Sequence, residues 1–126
     1  MDPILKGKVI SGLHEGKKFM SIHQYEIQFH KILNAKPFAG TLNVEVDIEE
    51  KEQFLKKQQK ILVDGFESEH KTYYEVICHR IKINKKPALL ILPIKNQHEP
   101  NIVEIVSEEN LRESLKLEDG DEVEIV

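Results

Sequence analysis

The stretches 71–83 (KTYYEVICHRIKI) and 87–94 (PALLILPI) are rich in β-branched and aliphatic residues, and only Asn84-Lys85-Lys86 separates them. Part of the first stretch alternates between apolar and polar residues, as a strand with one buried face does. Two such stretches joined by a short polar segment are typical of antiparallel strands in a hairpin. The sequence therefore predicts a β-hairpin in this part of the chain.

Shorter stretches on either side of the hairpin carry the same strand signal. The predicted strands are those of KGKVISG (6–12), TLNVEVDI (41–48), NIVEIVS (101–107) and LEDGDEVEIV (117–126), the last with a turn at Asp119-Gly120. One amphipathic helix is indicated by apolar residues at helical spacing, namely Ile22, Tyr25, Phe29, Ile32 and Leu33. A shorter helix is predicted over 108–115, with Ser107 as its N-cap and Glu108 and Glu109 in its first turn.

The order of these elements favours a mainly β fold. The strands follow one another closely, without the regular β-α-β alternation that builds a doubly wound sheet. The charge-rich stretch 49–60 (EEKEQFLKKQQK) is either a solvated connection or a short helix. We expect residues 1–126 to form a single domain, a compact β-barrel with one clear helix early and a short helix near the C-terminus.

Composition excludes several classes of protein. The 126 residues carry a net charge of −4, which speaks against nucleic acid as the main partner. The single cysteine, Cys78, excludes an internal disulfide, and its place in an alternating segment predicts a small buried core residue instead of a nucleophile. The N-terminus lacks the pattern of a signal peptide, and the apolar run 88–93 is too short to span a bilayer. We expect a cytoplasmic protein that associates with no membrane.

The stretch 11–19 (SGLHEGKKF) resembles a nucleotide-binding P-loop with one residue missing. A P-loop reads G-x-x-x-x-G-K-[ST], whereas here only three residues separate Gly12 from Gly16, and Lys17 is followed by Lys18. Two glycines allow close approach of the backbone to a phosphate, and the lysines add positive charge. An ordinary surface turn has the same composition, so this stretch alone leaves both interpretations open.

The segment PFAGTLNV (37–44) offers a candidate metal site. If a strand begins directly after Gly40, Thr41 and Asn43 point to one side, because side chains alternate along a strand, while Leu42 and Val44 face the core. A hydroxyl and an amide oxygen are neutral, hard ligands that suit Mg²⁺ when phosphates supply the negative charge. From the sequence alone, the alternative that these two side chains satisfy backbone groups at the strand end is favoured.

Two charged residues near the C-terminus are also candidates. Glu104 lies inside the otherwise apolar strand NIVEIV, where a functional carboxylate stands out, although strict alternation would place it on the solvent face. Arg112 on the late helix has the planar fork that suits a phosphate or a base edge. Among the six histidines (His14, His23, His30, His70, His79 and His98) no metal-ligand spacing is evident, and we expect each to lie at the surface.

Taken together, three segments resemble one family, the archaeal CTP-dependent riboflavin kinases. They are GKVISGLHEGKKF (7–19), PFAGTLNV (37–44) and LPIKNQHEPNIVEIVSEENLRESLKLEDGDEVEI (92–125), in this order and at workable spacing. The resemblance implies a six-stranded barrel of the cradle-loop type that transfers the γ-phosphate of CTP to the 5′-hydroxyl of riboflavin, with FMN and CDP as products. The glycine loop would then be a phosphate grip of independent design, on a fold that is not a P-loop fold.

The resemblance also implies roles for particular residues. One Mg²⁺ ion, bound with the nucleotide phosphates, falls on Thr41 and Asn43. Flavin contacts fall on Asn96 and Glu104, and Glu104 is the candidate to orient, and to deprotonate, the ribityl 5′-hydroxyl. The nucleotide-binding residues fall on two stretches: Gly12, Leu13, His14, Glu15, Gly16 and Lys17, and then Glu109, Asn110, Leu111 and Arg112.

This sequence departs from the family pattern at two positions: the family usually has threonine where Asn96 stands, and arginine is common where Lys17 stands. A flavin or nucleotide sensor without turnover is one alternative that these departures support. A second alternative is a DNA-binding transcription regulator without enzymatic activity, since related barrels share the closing turn and strand. The acidic net charge and the lack of an arginine cluster speak against DNA binding. We expect a monomer whose partners are riboflavin, FMN, CTP and CDP, and not nucleic acid.

Overall fold

A computed structural model describes residues 3–11, 22–93 and 100–126. The strands are β1 (Leu5–Ile10), β2 (Leu42–Val46), β3 (Ile61–Val63), β4 (Phe66–Ser68), β5 (Lys71–Tyr73), β6 (Val76–Ile83), β7 (Lys86–Pro93), β8 (Ile102–Val106) and β9 (Glu122–Ile125). The helices are α1 (His23–Leu33), α2 (Ile48–Lys56) and α3 (Leu111–Ser114). No helix in these ranges is long and apolar enough to cross a membrane.

Six antiparallel strands close into a barrel in the order β6-β7-β8-β2-β1-β9. The barrel closes where Ile83, the last residue of β6, pairs with Ile125 of β9. Strand β3 pairs with the first residues of β6 outside this ring, and β4 and β5 form a separate two-stranded sheet. The mainly β, six-stranded barrel expected from the sequence is confirmed, with one clear helix early and a short one late.

Apolar side chains from all six strands fill the interior of the barrel. Alternate residues of each strand point inward, as the period of two requires. Leu42 and Val44 of β2 are among them, as the alternation of TLNVEVDI predicted. Phe54 of α2 also joins this cluster, and it is only 2% exposed.

A second apolar cluster lies outside the barrel, beneath α1. Tyr25 and Phe29 of this helix pack with residues of β3, β6, β7 and β8. Strand β7 therefore contributes to both clusters, with Ala88 and Leu90 on one side and Leu89 and Ile91 on the other. Burial on both faces explains why PALLILP is a continuous apolar run, without the alternation of a half-exposed strand.

The hairpin between β6 and β7 turns on two residues, Asn84 and Lys85. Their φ angles are 45° and 73°, and Ile83 pairs with Lys86 directly across the turn. Positive φ at both central residues is the mark of the type I′ turn, whose twist matches that of the strands it joins. The predicted hairpin is confirmed, and the turn holds a lysine at a position that favours glycine.

Residues 49–60, for which the sequence left two possibilities, include a regular helix. Asp47 caps α2, because its side chain accepts a hydrogen bond from the Glu50 N–H at 2.9 Å. An Asp-x-x-Glu sequence is the usual signal for such a cap. The prediction of one strand over 71–83 was wrong in detail, since β5 ends at Tyr73 and β6 begins at Val76.

Two neighbouring side chains of β6 are buried. Cys78 has no exposed surface, and burial raises the pKa of its thiol to about 11, which confirms a core residue and not a nucleophile. His79 is 1% exposed, its Nδ1 lies 3.0 Å from the Gln59 carbonyl oxygen, and burial lowers its pKa. The expectation of surface histidines was thus wrong for His79. It holds for His23, His30 and His70, while His14 and His98 lie outside the described residues.

Replacement of Lys85 by glycine should stabilise the protein. The left-handed backbone at this position is costly for a residue with a Cβ and free of that cost for glycine. We expect Lys85→Gly to raise the free energy of unfolding by about 0.5–1 kcal/mol, measured by urea denaturation. The control is Lys82→Gly, in the exposed part of β6, which should lower it by a similar amount. A Lys85→Gly variant as unstable as Lys82→Gly would contradict this account of the turn.

Candidate active site

A cavity of about 180 Å³ lies where β2 begins and β8 ends, beside the residues that lead into α3. Its lining includes Thr41 and all four residues of the predicted stretch 109–112. The complete lining is Phe38, Gly40, Thr41, Leu42, Ile105, Ser107, Glu109, Asn110, Leu111 and Arg112. The fold thus brings together residues that lie almost seventy positions apart in the sequence.

The segment before β2 is held against the end of β8 by backbone hydrogen bonds. The Phe38 N–H donates to the Ser107 carbonyl oxygen at 2.8 Å, and the Gly40 N–H donates to the Phe38 carbonyl oxygen at 2.9 Å. A Cβ added to Gly40 would lie 3.3 Å from the Phe38 ring, so a side chain at this position would crowd the bend. This bend places Thr41 in the wall of the cavity.

The start of α3 differs from the prediction. The helix begins at Leu111, and its N-cap is Asn110, whose side chain accepts a hydrogen bond from the Glu113 N–H at 3.4 Å. Ser107 was expected to be the cap, but its buried hydroxyl accepts from the Glu109 N–H at 3.1 Å and so shapes the turn before the helix. Glu108 and Glu109 consequently lie ahead of the helix and not in its first turn.

Glu109 is paired with a lysine at the rim of the cavity. The Lys86 ammonium lies 3.2 Å from both carboxylate oxygens of Glu109, and both side chains are more than one third exposed. An exposed pair of this kind contributes little to stability. Its consequence is local, because it places a positive charge beside the stretch 109–112 and neutralises the acidic group there.

Arg112 is bound at one corner of its guanidinium group. Its Nη2 donates to the Asp119 carboxylate at 2.7 Å and to the Ile10 carbonyl oxygen at 3.1 Å. Asp119 also accepts a hydrogen bond from the Ser11 hydroxyl. The Ser11 hydroxyl, and then the Arg112 guanidinium, lower the pKa of the Asp119 carboxyl below its ordinary value. The carboxylate therefore stays ionised throughout the neutral range.

Asn43 and Glu104 face each other across neighbouring strands. They are directly opposite in the pairing of β2 with β8, and they are 9% and 7% exposed. Their chain neighbours Leu42, Val103 and Ile105 point into the barrel, so this polar pair lies on the outer wall. The alternation of the strand predicted that Glu104 would be exposed to solvent. That prediction was wrong, because the side chain is buried on the outer wall of the barrel.

The oxygens near the start of β2 suit a hard cation. Thr41 lines the cavity, and Asn43 follows two residues later on the side opposite the barrel interior. Among the described residues no group of three or more histidine, cysteine, aspartate or glutamate side chains is arranged to hold a metal. The protein oxygens available to a cation at this position are the neutral ones of Thr41 and Asn43.

A larger groove is present elsewhere on the surface. It has a volume of about 1010 Å³ and runs between the N-terminal segment and α2, where Asp47, Glu49, Glu50 and Glu52 line it with Lys6 and Lys57. A wall with this excess of carboxylates repels phosphate groups. The smaller cavity, whose lining includes Thr41 and Arg112, is the better candidate for a nucleotide.

The chain matches a family model over residues 9–126. The model is CTP-dep_RFKase, described as a domain of unknown function, DUF120. The chain belongs to the CTP-dep_RFKase family. The resemblance noted in three segments of the sequence is thereby confirmed, and the match includes the strands and turns that build the cavity.

Named relatives support the same assignment. The chain is 41% identical to a riboflavin kinase of Ignicoccus hospitalis over 97% of its own length and 69% of that protein. It is 37% identical to a riboflavin kinase of Methanocella arvoryzae, with 98% of this chain and 56% of the relative covered. For a riboflavin kinase of Archaeoglobus fulgidus the identity is 35%, with 96% and 53% covered. The chain thus spans just over half the length of the last two.

In this member of the CTP-dep_RFKase family the structure describes half of the predicted site residues. Thr41, Asn43, Glu104 and the stretch 109–112 lie along the β2–β8 pair and the turn that follows β8. Gly12, Leu13, His14, Glu15, Gly16, Lys17 and Asn96 lie outside the described residues. Their assignment to nucleotide or flavin remains a prediction.

Sequence reasoning missed several polar residues near the site in this CTP-dep_RFKase member. Asp119 was assigned only to a turn, and Ser11 and Lys86 were given no role. Ser11 and Asp119 are 108 positions apart, so no local periodicity connects them. The one available signal was an aspartate beside Gly120 in a predicted turn, and that signal says nothing about a partner elsewhere in the chain.

Proposed function

We propose that this chain is a riboflavin kinase that transfers the γ-phosphoryl group of CTP to the 5′-hydroxyl of riboflavin, giving FMN and CDP. The observation that carries the proposal is the match to the CTP-dep_RFKase family over residues 9–126, which includes every described residue of the cavity wall. The relatives named riboflavin kinase support the reaction, and the name of the family supports CTP as the donor.

Phosphoryl transfer depends mainly on alignment and on neutralisation of charge, and less on covalent help from the protein. Arg112 suits this task, because a guanidinium group presents its N–H donors in a plane that matches phosphate oxygens. Its attachment to Asp119 and to the Ile10 carbonyl oxygen holds the guanidinium beside the cavity. In this proposal the nucleotide phosphates lie between Arg112 and the start of β2, and the predicted loop 12–17 supplies further contacts.

Thr41 and Asn43 would hold one Mg²⁺ ion together with the phosphates. When bound, such an ion neutralises negative charge on the phosphate oxygens and makes the phosphorus easier to attack. The support from this chain is the position of Thr41 at the cavity and of Asn43 opposite Glu104. Because the oxygens of Thr41 and Asn43 are neutral, they would bind the ion weakly by themselves, and the ion would bind together with the nucleotide.

Glu104 would accept the proton of the attacking hydroxyl. It is 7% exposed and is paired with Asn43 on β2 and with Ile91 on β7, so it lies beside one of the two proposed metal ligands and beside an apolar residue. A carboxylate in such a place holds a hydroxyl in one orientation, because little water competes for it. In this proposal the ribityl chain of riboflavin approaches along the outer wall of the barrel, and Asn96 contacts the flavin.

The alternative of a DNA-binding regulator without activity is not favoured. Its barrel would need a basic surface, whereas this chain is acidic overall and its named relatives are kinases. A sensor without turnover would share the cavity, and only an assay for product distinguishes it from the kinase.

The proposed function predicts turnover of riboflavin with CTP. Purified protein incubated with riboflavin, Mg²⁺ and CTP should form FMN and CDP, whereas ATP in place of CTP should give little FMN. Chromatography of the flavins measures the result, and a reaction without Mg²⁺ is the control. A folded protein that forms no FMN with any nucleoside triphosphate would exclude the kinase and favour the sensor.

A further prediction concerns Glu104. The substitution Glu104→Gln keeps the shape of the side chain and removes its ability to take a proton, so kcat should fall by about 100-fold or more. The KM for riboflavin should change little, because an amide still accepts a hydrogen bond. The matched control is Glu45→Gln, an exposed carboxylate on β2, which should leave kcat unchanged. Full kcat in the Glu104→Gln variant would remove Glu104 from proton transfer.

Another prediction concerns the metal. Thr41→Val preserves the volume and branching of the side chain but removes the hydroxyl, so the Mg²⁺ concentration at half-maximal rate should rise several-fold. The control is Thr72→Val on β5, an exposed threonine that does not line the cavity. The Mg²⁺ concentration at half-maximal rate is measured for each variant by a Mg²⁺ titration at saturating CTP. Identical titration curves for Thr41→Val and the unsubstituted protein would show that Thr41 does not bind the ion.

A further inference from the structure

The Asp119 carboxylate joins three parts of the chain at the end of β1. One of its oxygens, Oδ1, accepts from the Arg112 guanidinium at 2.7 Å, and the other, Oδ2, accepts from the Ser11 hydroxyl. Arg112 belongs to α3 and lines the cavity, whereas Ser11 directly follows β1 and directly precedes the glycine loop in the sequence. A single side chain thus connects Arg112, in one predicted nucleotide-binding stretch, with Ser11, the residue directly before the other.

The position of Asp119 is fixed by the turn that carries it. The Gly120 N–H donates to the Val9 carbonyl oxygen at 2.7 Å, and the Val9 N–H donates to the Asp121 carbonyl oxygen at 2.9 Å. Gly120 has a φ of 92°, which glycine adopts without strain. The Asp121 side chain closes the turn by accepting from the Glu118 N–H at 2.8 Å. The backbone around Asp119 is therefore tied to β1 independently of its carboxylate.

The Arg112 backbone is held equally firmly. The Leu117 N–H donates to the Arg112 carbonyl oxygen at 2.8 Å, and the Lys116 N–H donates to that of Glu113 at 3.3 Å. Together with a left-handed residue, Lys116 at φ 54°, these two bonds form the Schellman ending of a helix. Leu117 then enters the interior apolar cluster. The backbone is thus held by hydrogen bonds at both Arg112 and Asp119.

The contacts with Asp119 and Ile10 engage only the Nη2 side of the Arg112 guanidinium group. Nη2 carries two hydrogens, and its two acceptors are Asp119 and the Ile10 carbonyl oxygen. The other three N–H groups belong to Nη1 and Nε. Among the described residues, the hydrogen bonds of the Arg112 side chain are made through Nη2 only. Anchoring one corner fixes the orientation of the plane, as recognition of a phosphate by two parallel hydrogen bonds requires.

We propose that Asp119 is a positioning residue for the nucleotide, which orients the Arg112 guanidinium and the Ser11 end of β1 without touching the ligand. The proposal rests on the proposed kinase function. A carboxylate near phosphates is unfavourable in itself, but here its charge is compensated by Arg112, and the exposure of its side chain, 53%, allows solvent to screen the remainder. What Asp119 contributes is therefore orientation and not attraction.

The test compares Asp119→Asn with a matched control, Asp121→Asn. Asparagine retains the size of Asp119 but loses the charge that holds Arg112, so the KM for CTP should rise about tenfold while the KM for riboflavin stays unchanged. The control removes the same charge from a side chain in the same turn, whose hydrogen bond with the Glu118 N–H involves neither Arg112 nor Ser11. It should leave both KM values as they are. Ser11→Ala, which removes one of the two bonds, should give a smaller rise in the KM for CTP and serves if Asp119→Asn does not fold.

Binding measurements separate this proposal from the proposed reaction. Isothermal titration with CDP and Mg²⁺ should show weaker binding to Asp119→Asn than to the unsubstituted protein, whether or not FMN is formed. Absence of turnover in the unsubstituted protein, with this difference present, would refute the kinase and retain the positioning role. Equal affinity for CDP in the two proteins, no CDP binding to either, or equal effects of Asp119→Asn and Asp121→Asn on the KM for CTP would each overturn the role of Asp119.

Discussion

The register between β2 and β8 is the constraint on which the site depends. Leu42 pairs with Ile105 and Val44 with Val103, and all four point into the barrel. Because side chains alternate along a strand, a slip of one residue would turn these apolar groups outward and bring polar ones in. Burial of the core therefore fixes the register, and the same register sets Asn43 opposite Glu104 on the outer wall.

The residues that stabilise the barrel and the residues of the candidate site lie on opposite sides of the same strands. The interior of the barrel is lined by buried apolar side chains from all six strands, and the polar candidate site lies outside it. The outer wall offers two different surfaces: an apolar one beneath α1, and a polar one at the junction of β2, β8 and the turn leading to α3. A polar site built outside a packed barrel accepts changes in its loops without loss of the core.

The strand pattern of the sequence was sufficient to predict the barrel. Alternation located β2, β8 and β9, and the polar stretch 84–86 located the turn between β6 and β7. Elements with weaker periodicity were missed or left open. The short strands β3 and β4 have only three residues each, and α2 has a single fully buried apolar residue, Phe54. With so few buried positions, a period of two cannot be distinguished from one of 3.6.

Only part of the candidate site could be predicted, because local patterns in the sequence do not show contacts between distant segments. Thr41 and Asn43 follow from alternation along a single strand, and the family resemblance supplied the stretch 109–112. The burial of Glu104 could not be predicted, because it depends on what covers the outer wall of the barrel. Ser11, Lys86 and Asp119 make contacts between distant segments, as does Arg112 in its hydrogen bond to Ile10 across 102 positions. Exposed serines, lysines and aspartates are common, and only tertiary contacts distinguish these three from the others.

The claim that most needs a direct test is that the nucleotide binds at the β2–β8 junction. Amide chemical shifts of the ¹⁵N-labelled protein, recorded by NMR during titration with CDP and Mg²⁺, locate the bound ligand residue by residue. The account predicts that the largest shifts among the described residues occur over 40–43 and 107–112. Largest shifts over 47–57, along the acidic groove beside α2, would contradict it.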